Sequence, residues 1–185
     1  MIFSLISRLV NGVKGGVAAG LKGTADVASS VIDVTKNTTI SVLKESGEFA
    51  KEALDVPASV VKGALTGVSE LGVSVITAVK GVVSGTVQGL MDSGCQHNTA
   101  IKGVVAQSLH SAKDLGLDVA ETATESVKGV INGVEQVGGD TVEATKIAVM
   151  AAVDTAKEFG GDVVETVKNS LSSGVEGAKD IIDSL

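Results

Sequence analysis

Residues 143–182 read EATKIAVMAAVDTAKEFGGDVVETVKNSLSSGVEGAKDII, and the spacing of their charges decides the fold: Lys146, Lys157, Lys168 and Lys179 stand at every eleventh position. Each has an acid three residues before it, at Glu143, Asp154, Glu165 and Glu176. Writing the chain in blocks of 11 from Phe3 carries this register through to Leu185 with no insertion. The 15 Lys and Arg and the 22 Asp and Glu then all fall in columns 1, 2, 5, 6, 9 and 10. Columns 3, 4, 7, 8 and 11 hold no charge. Eleven residues make three turns at about 3.67 residues per turn, so the five uncharged columns lie side by side as one apolar face. A strand period would scatter them over both sides. The expected fold is all-α, built from long amphipathic helices of an 11-residue repeat.

Column 8 is the centre of that face. It holds Val10, Leu21, Ile32, Leu43, Leu54, Leu65, Ile76, Val87, Leu109, Ile131, Val142, Val153, Val164 and Val175, interrupted at Asn98 and Ala120. With Ile2, Leu5, Ile6 and Leu9 of the apolar N-terminus, these residues form the expected lipid-binding or helix-packing face. Column 4 alternates large and small, as Val61, Gly72, Val83, Gly94, Val105, Gly116, Val127, Gly138, Val149, Gly160 and Leu171. A glycine adds little apolar area but admits a neighbouring backbone, so Gly72, Gly116, Gly138 and Gly160 are read as sites of close helix packing in a 22-residue unit.

Only one block loses its apolar face. Asp92 to Asn98 reads Asp-Ser-Gly-Cys-Gln-His-Asn, and its Gly94, Cys95, His97 and Asn98 mark a turn. This gives a helical hairpin: a first arm over 1–91, a turn at 92–98 and a second arm over 99–185. An N-terminal anchor covers 1–23, and Pro57 bends or interrupts the first arm because it lacks an amide donor. Arms of about 90 residues would be about 130 Å long.

Charge and composition exclude several functions. The net charge is −7, carried by the second arm, while Arg8, Lys14 and Lys22 precede the first acid, Asp26. An acidic chain with 3 Phe, no Trp and no Tyr is a poor nucleic-acid binder. One Cys and 2 His leave no cysteine-based metal cage and no disulfide within the chain. Cys95 and His97 stand two residues apart in a polar turn and are read as loop residues rather than a nucleophilic dyad, and no phosphate-binding loop occurs. No enzyme activity, cofactor, metal or small-molecule substrate is expected. The longest uncharged stretch, Gly81 to Met91, is too short to span a bilayer, and Arg8 interrupts the apolar N-terminus before a signal segment is complete.

Glycine costs about 1 kcal/mol against alanine in a helix interior, so about 20 glycines in helical positions impose a penalty on the order of 20 kcal/mol. Burial of the apolar face must offset it. Five columns of eleven are wider than a two-stranded seam needs, so a hairpin alone would leave apolar surface open. Further helices or a lipid surface should cover it. The repeat resembles the exchangeable apolipoproteins, the synucleins and perilipin-type lipid-droplet proteins, with segments Val82–Val87 (VVSGTV) and Ala156–Gly161 (AKEFGG) most similar to synuclein-type repeats. The resemblance implies reversible, peripheral binding to lipid with helix formation on contact. The expected function is a cytoplasmic, lipid-surface-binding protein that coats or shapes a membrane and self-assembles as a homo-oligomer, with Arg8, Lys14 and Lys22 contacting headgroups. The alternative is a structural bundle or filament without lipid. A stress-protectant or ice-binding helix is the remote third.

Overall fold

Glycine recurs in every second block, at positions 72, 94, 116, 138 and 160, and in the computed structural model all five have positive φ, from 69° at Gly116 to 118° at Gly160. That conformation ends helices. The structure describes residues 2–22, 27–46 and 55–185, without the side chains of 2–6, 27–29, 46 and 55. Their helices are α1 (Ile2–Leu21), α2 (Val27–Ser46), α3 (Asp55–Glu70), α4 (Val75–Asp92), α5 (His97–Asp114), α6 (Val119–Gln136), α7 (Thr141–Lys157), α8 (Gly161–Gly174) and α9 (Ala178–Asp183). No strand occurs among the described residues. Nor is any described helix long and apolar enough to cross a membrane.

Eighteen-residue helices and four-residue turns make the unit. At the end of α4, Gly94 N–H donates to Met91 C=O and Cys95 N–H to Leu90 C=O, both at 3.0 Å. The same pair of bonds closes α5 through Gly116 and Leu117, and α6 through Gly138 and Gly139. These bonds satisfy carbonyls that a helix end otherwise leaves open, and they require a left-handed residue at the glycine. Two residues later the next helix is capped. Asp118 accepts from Glu121 N–H at 2.9 Å, and Asp140 accepts from Val142 and Glu143 N–H at 2.9 and 3.0 Å. Gly116→Ala should therefore cost about 1 kcal/mol through backbone strain. Asp118→Ala should cost a similar amount, about 1 kcal/mol, through the lost cap. Urea denaturation measures both.

The helices zigzag between two rows. α3 packs on α1, α5 on α3, α7 on α5 and α9 on α7, while α4, α6 and α8 continue the row begun by α2. Consecutive helices also touch across the rows, from α3·α4 through α8·α9. An interior helix thus has up to four neighbours, which is why five apolar columns are needed on each. The mid-helix residues of column 4, Val61, Val83, Val105, Val127, Val149 and Leu171, are all 0% exposed. Among the described residues, only Leu115, Val142 and Leu185 are exposed large hydrophobics. The accessible surface, 8825 Å², is close to the ~8200 Å² of a compact monomer of this mass.

Three expectations are corrected. In place of two long arms, the described chain turns in every second block. The turn expected over 92–98 occupies 93–96, with Gly94 and the buried Cys95 inside it, whereas His97 and Asn98 are exposed first residues of α5. Gly72, Gly116, Gly138 and Gly160 do not pack helices: a Cβ there would meet nothing within 4 Å. Pro57 lies in the first turn of α3, where a missing N–H costs least. The stretch 47–54 before that helix is outside the described residues.

Candidate functional site

The closest helix approaches use glycines of the columns that carry the charges. A Cβ on Gly63 would stand 2.5 Å from Val10 C=O, and one on Gly67 2.8 Å from Lys14 C=O, so α3 lies directly on the backbone of α1. α4 sits on α2 in the same way: a Cβ on Gly85 would collide with Ile32 C=O, and one on Gly89 would stand 2.7 Å from Thr39 Cβ. In α6, Gly129 and Gly133 meet Lys80 and Ser84 carbonyls of α4 at 2.6 and 2.8 Å. Glycines four apart make one flat stripe along a helix, and such stripes bring backbones together.

Small hydroxyl residues share these buried contacts because they bond inside their own helix. Thr39, Thr86, Ser108 and Thr155 donate to the carbonyl four residues back at 2.7–2.8 Å. Side-chain bonds also cross between helices. Ser84 donates to Asn132 Oδ1 at 2.7 Å, and Thr124 shares a 2.7 Å hydroxyl bond with Ser170. Ion pairs Lys14–Glu70 at 3.1 Å and Lys36–Asp92 at 2.9 Å, and a polar contact of His110 Nε2 with Glu158 Oε2 at 3.2 Å, each join two helices of the same row. All three are partly exposed, so each contributes little.

Beyond α3, the row α3–α5–α7 is less tightly closed. Where α3 has Gly63 and Gly67, α5 carries Gln107 and Ser111, whose side chains bond each other at 3.0 Å. Beside Gln107 lies a groove of ≈ 330 Å³ lined by Ser7, Val10, Asn11, Ala58, Ser59, Lys62 and Gln107. A second groove, of ≈ 440 Å³, runs between α5 and α7 and includes Lys102, Glu143, Lys146, Met150, Asp154 and Glu158. At its end, His110 meets the Phe159 ring edge-on at 5.1 Å, and Lys113 Nζ lies 4.6 Å from the same ring centroid. This cluster fastens α5 to the end of α7. Among the described residues, no group of three or more His, Cys, Asp and Glu could hold a metal ion.

Of the expected face, Leu9, Leu21, Leu43, Leu65, Val87, Leu109, Val153 and Val175 are buried in the stack. Val10, Ile32, Ile76, Ile131 and Val164 are half-buried, and Val142 is 79% exposed at the start of α7. The side chains of Ile2, Leu5 and Ile6, and the whole of Leu54, fall outside the described residues. Arg8 and Lys22 are exposed, whereas Lys14 is engaged with Glu70. The glycine stripes Gly63/Gly67, Gly81/Gly85/Gly89 and Gly129/Gly133 were not expected, although their four-residue spacing is visible in the sequence. No protein-family model matches the chain, and no curated protein was found to match it.

Proposed function

We propose that the chain is a non-enzymatic structural repeat protein that self-assembles into a scaffold and touches lipid peripherally through its basic first helix. The observation that supports this reading is the open end of the stack. Interior helices rest on the helix two before them, whereas the corresponding face of α1 is uncovered. A repeat that buries its faces only against neighbours tends to add further units at an uncovered end. Lipid contact is carried by Arg8 and Lys22, because the apolar columns are already occupied by the chain's own helices.

A second reading keeps the whole apolar face for lipid. From α3 onward the helices are joined by glycine turns and held mainly by aliphatic contacts, so they could swing apart and spread on a membrane. Co-sedimentation with phosphatidylcholine vesicles, with and without phosphatidylserine, separates the two. The scaffold reading expects binding that needs the anionic lipid, is lost in high salt and falls in Arg8→Glu/Lys22→Glu. Binding that survives salt and both substitutions would favour the spread coat. No binding to either vesicle would remove the lipid contact and leave self-assembly alone.

A further inference from the structure

We infer that the uncovered face of α1 docks the C-terminal end of a second copy of this chain, head to tail; this rests on the self-assembly reading and gives it a geometry. Within the chain, columns 2, 6 and 10 form the face that α3, α4 and α6 turn toward the helix two before. Ser59, Gly63 and Gly67 of α3 are buried there, as are Gly85 and Gly89 of α4 and Gly129 and Gly133 of α6. In α1 the same columns are Arg8, Gly12, Gly15 and Ala19, and all four are exposed. A Cβ on Gly12 or Gly15 would meet nothing within 4 Å, so the flat stripe that seats a helix elsewhere is empty here. Elsewhere in the chain the same columns are covered by a packed helix.

Charge selects the occupant. Residues 1–25 carry Arg8, Lys14 and Lys22 and no acid, whereas residues 161–185 carry five acids against two lysines. Two α1 faces brought together would set two basic helices, each carrying Arg8, Lys14 and Lys22, against one another. The far end offers exposed Asp180 and Asp183 beside half-buried Ile181 and Ile182. Opposite charge on the two ends steers unlike ends together. A heterologous contact of this kind does not close on itself by default, and it builds a linear polymer.

The test is sedimentation velocity of the full chain across a concentration series, with two end-blocked variants. Gly12→Leu/Gly15→Leu fills the α1 face, and Asp180→Lys/Asp183→Lys reverses the other end. Both sets of positions are exposed, so thermal melts should stay at or above that of the unsubstituted chain. The unsubstituted chain should grow into an open-ended series of oligomers. Each variant alone should associate at least about tenfold more weakly, and their mixture should give 1:1 heterodimers, because one of each end remains intact. Arg8→Glu should weaken assembly without adding bulk, and mixing it with the Asp180→Lys/Asp183→Lys chain should restore long alternating polymers, because both kinds of contact then pair opposite charges. Association unaffected by filling the α1 face, or full self-association of the Asp180→Lys/Asp183→Lys chain, would overturn the head-to-tail contact while leaving self-assembly standing. A chain that stays monomeric throughout would overturn both.

Discussion

Gly85→Leu is expected to unfold the pairing of α2 with α4, with a loss of at least about 3 kcal/mol, at the upper end of overpacking costs. The glycine Cβ position already collides with Ile32 C=O and stands 2.9 Å from Thr35 Cβ and 3.0 Å from Lys36 N. Backbone atoms cannot rotate aside as a flexible side chain can, so α2 would have to move away as a unit. Its separation would uncover Val31 and Leu43, each 1% exposed, and Thr35. Against a total stability of about 5–15 kcal/mol, this one change removes a large share. Gly12→Leu, on the uncovered side of α1, should leave the monomer intact. Denaturant midpoints of the two variants, measured at equal slope, check the contrast.

The second large effect separates two residues that the 11-residue register treats as equal. Val142 and Val153 both stand in column 8, but Val142 is 79% exposed and Val153 is 1% exposed. Val153→Asp buries an unpaired carboxylate among Val149, Ala152 and Ala156 of its own helix and the core they join, at a cost of several kcal/mol. Val142→Asp should stay within about 0.5 kcal/mol, as surface changes do. Urea denaturation followed by circular dichroism reads both. Thr155 also departs from the simple face rule, since it is 4% exposed in a charge-bearing column. Thr155→Asp should resemble Val153→Asp rather than a surface change.

Helix class and core were legible because charge avoids columns 3, 4, 7, 8 and 11 throughout, and those columns supply the buried Val61, Val83, Val105, Val127 and Val149. The turns were not, for an arithmetic reason. Helices starting at Val75, His97, Val119 and Thr141 are each two whole blocks apart, so a turn leaves the register unbroken. An uninterrupted pattern therefore did not mean an uninterrupted helix. The local signal lay in Gly116-x-Asp118 and Gly138-x-Asp140, a C-terminal glycine followed two residues on by an acidic N-cap, whereas in Gly160-x-Asp162 the acid falls in the first turn of α8. Column 6 hid the packing face in the same way. It alternates cap positions, Ser74, Gln96, Asp118 and Asp140, with mid-helix Gly63, Gly85, Gln107 and Gly129. Averaged over the column, caps and contact glycines look like one solvated stripe. One groove is lined by Gln107, which stands where α3, α4 and α6 carry a glycine, a replacement no periodicity reveals.

The single chain covers its own apolar face by folding back in every second block of the repeat. Small-angle X-ray scattering of the dilute monomer measures this most directly. The stack predicts a radius of gyration near ~16–20 Å, the range for a compact domain of 185 residues. A value near ~38 Å, that of a rod about 130 Å long, would restore the two-arm hairpin and contradict the account.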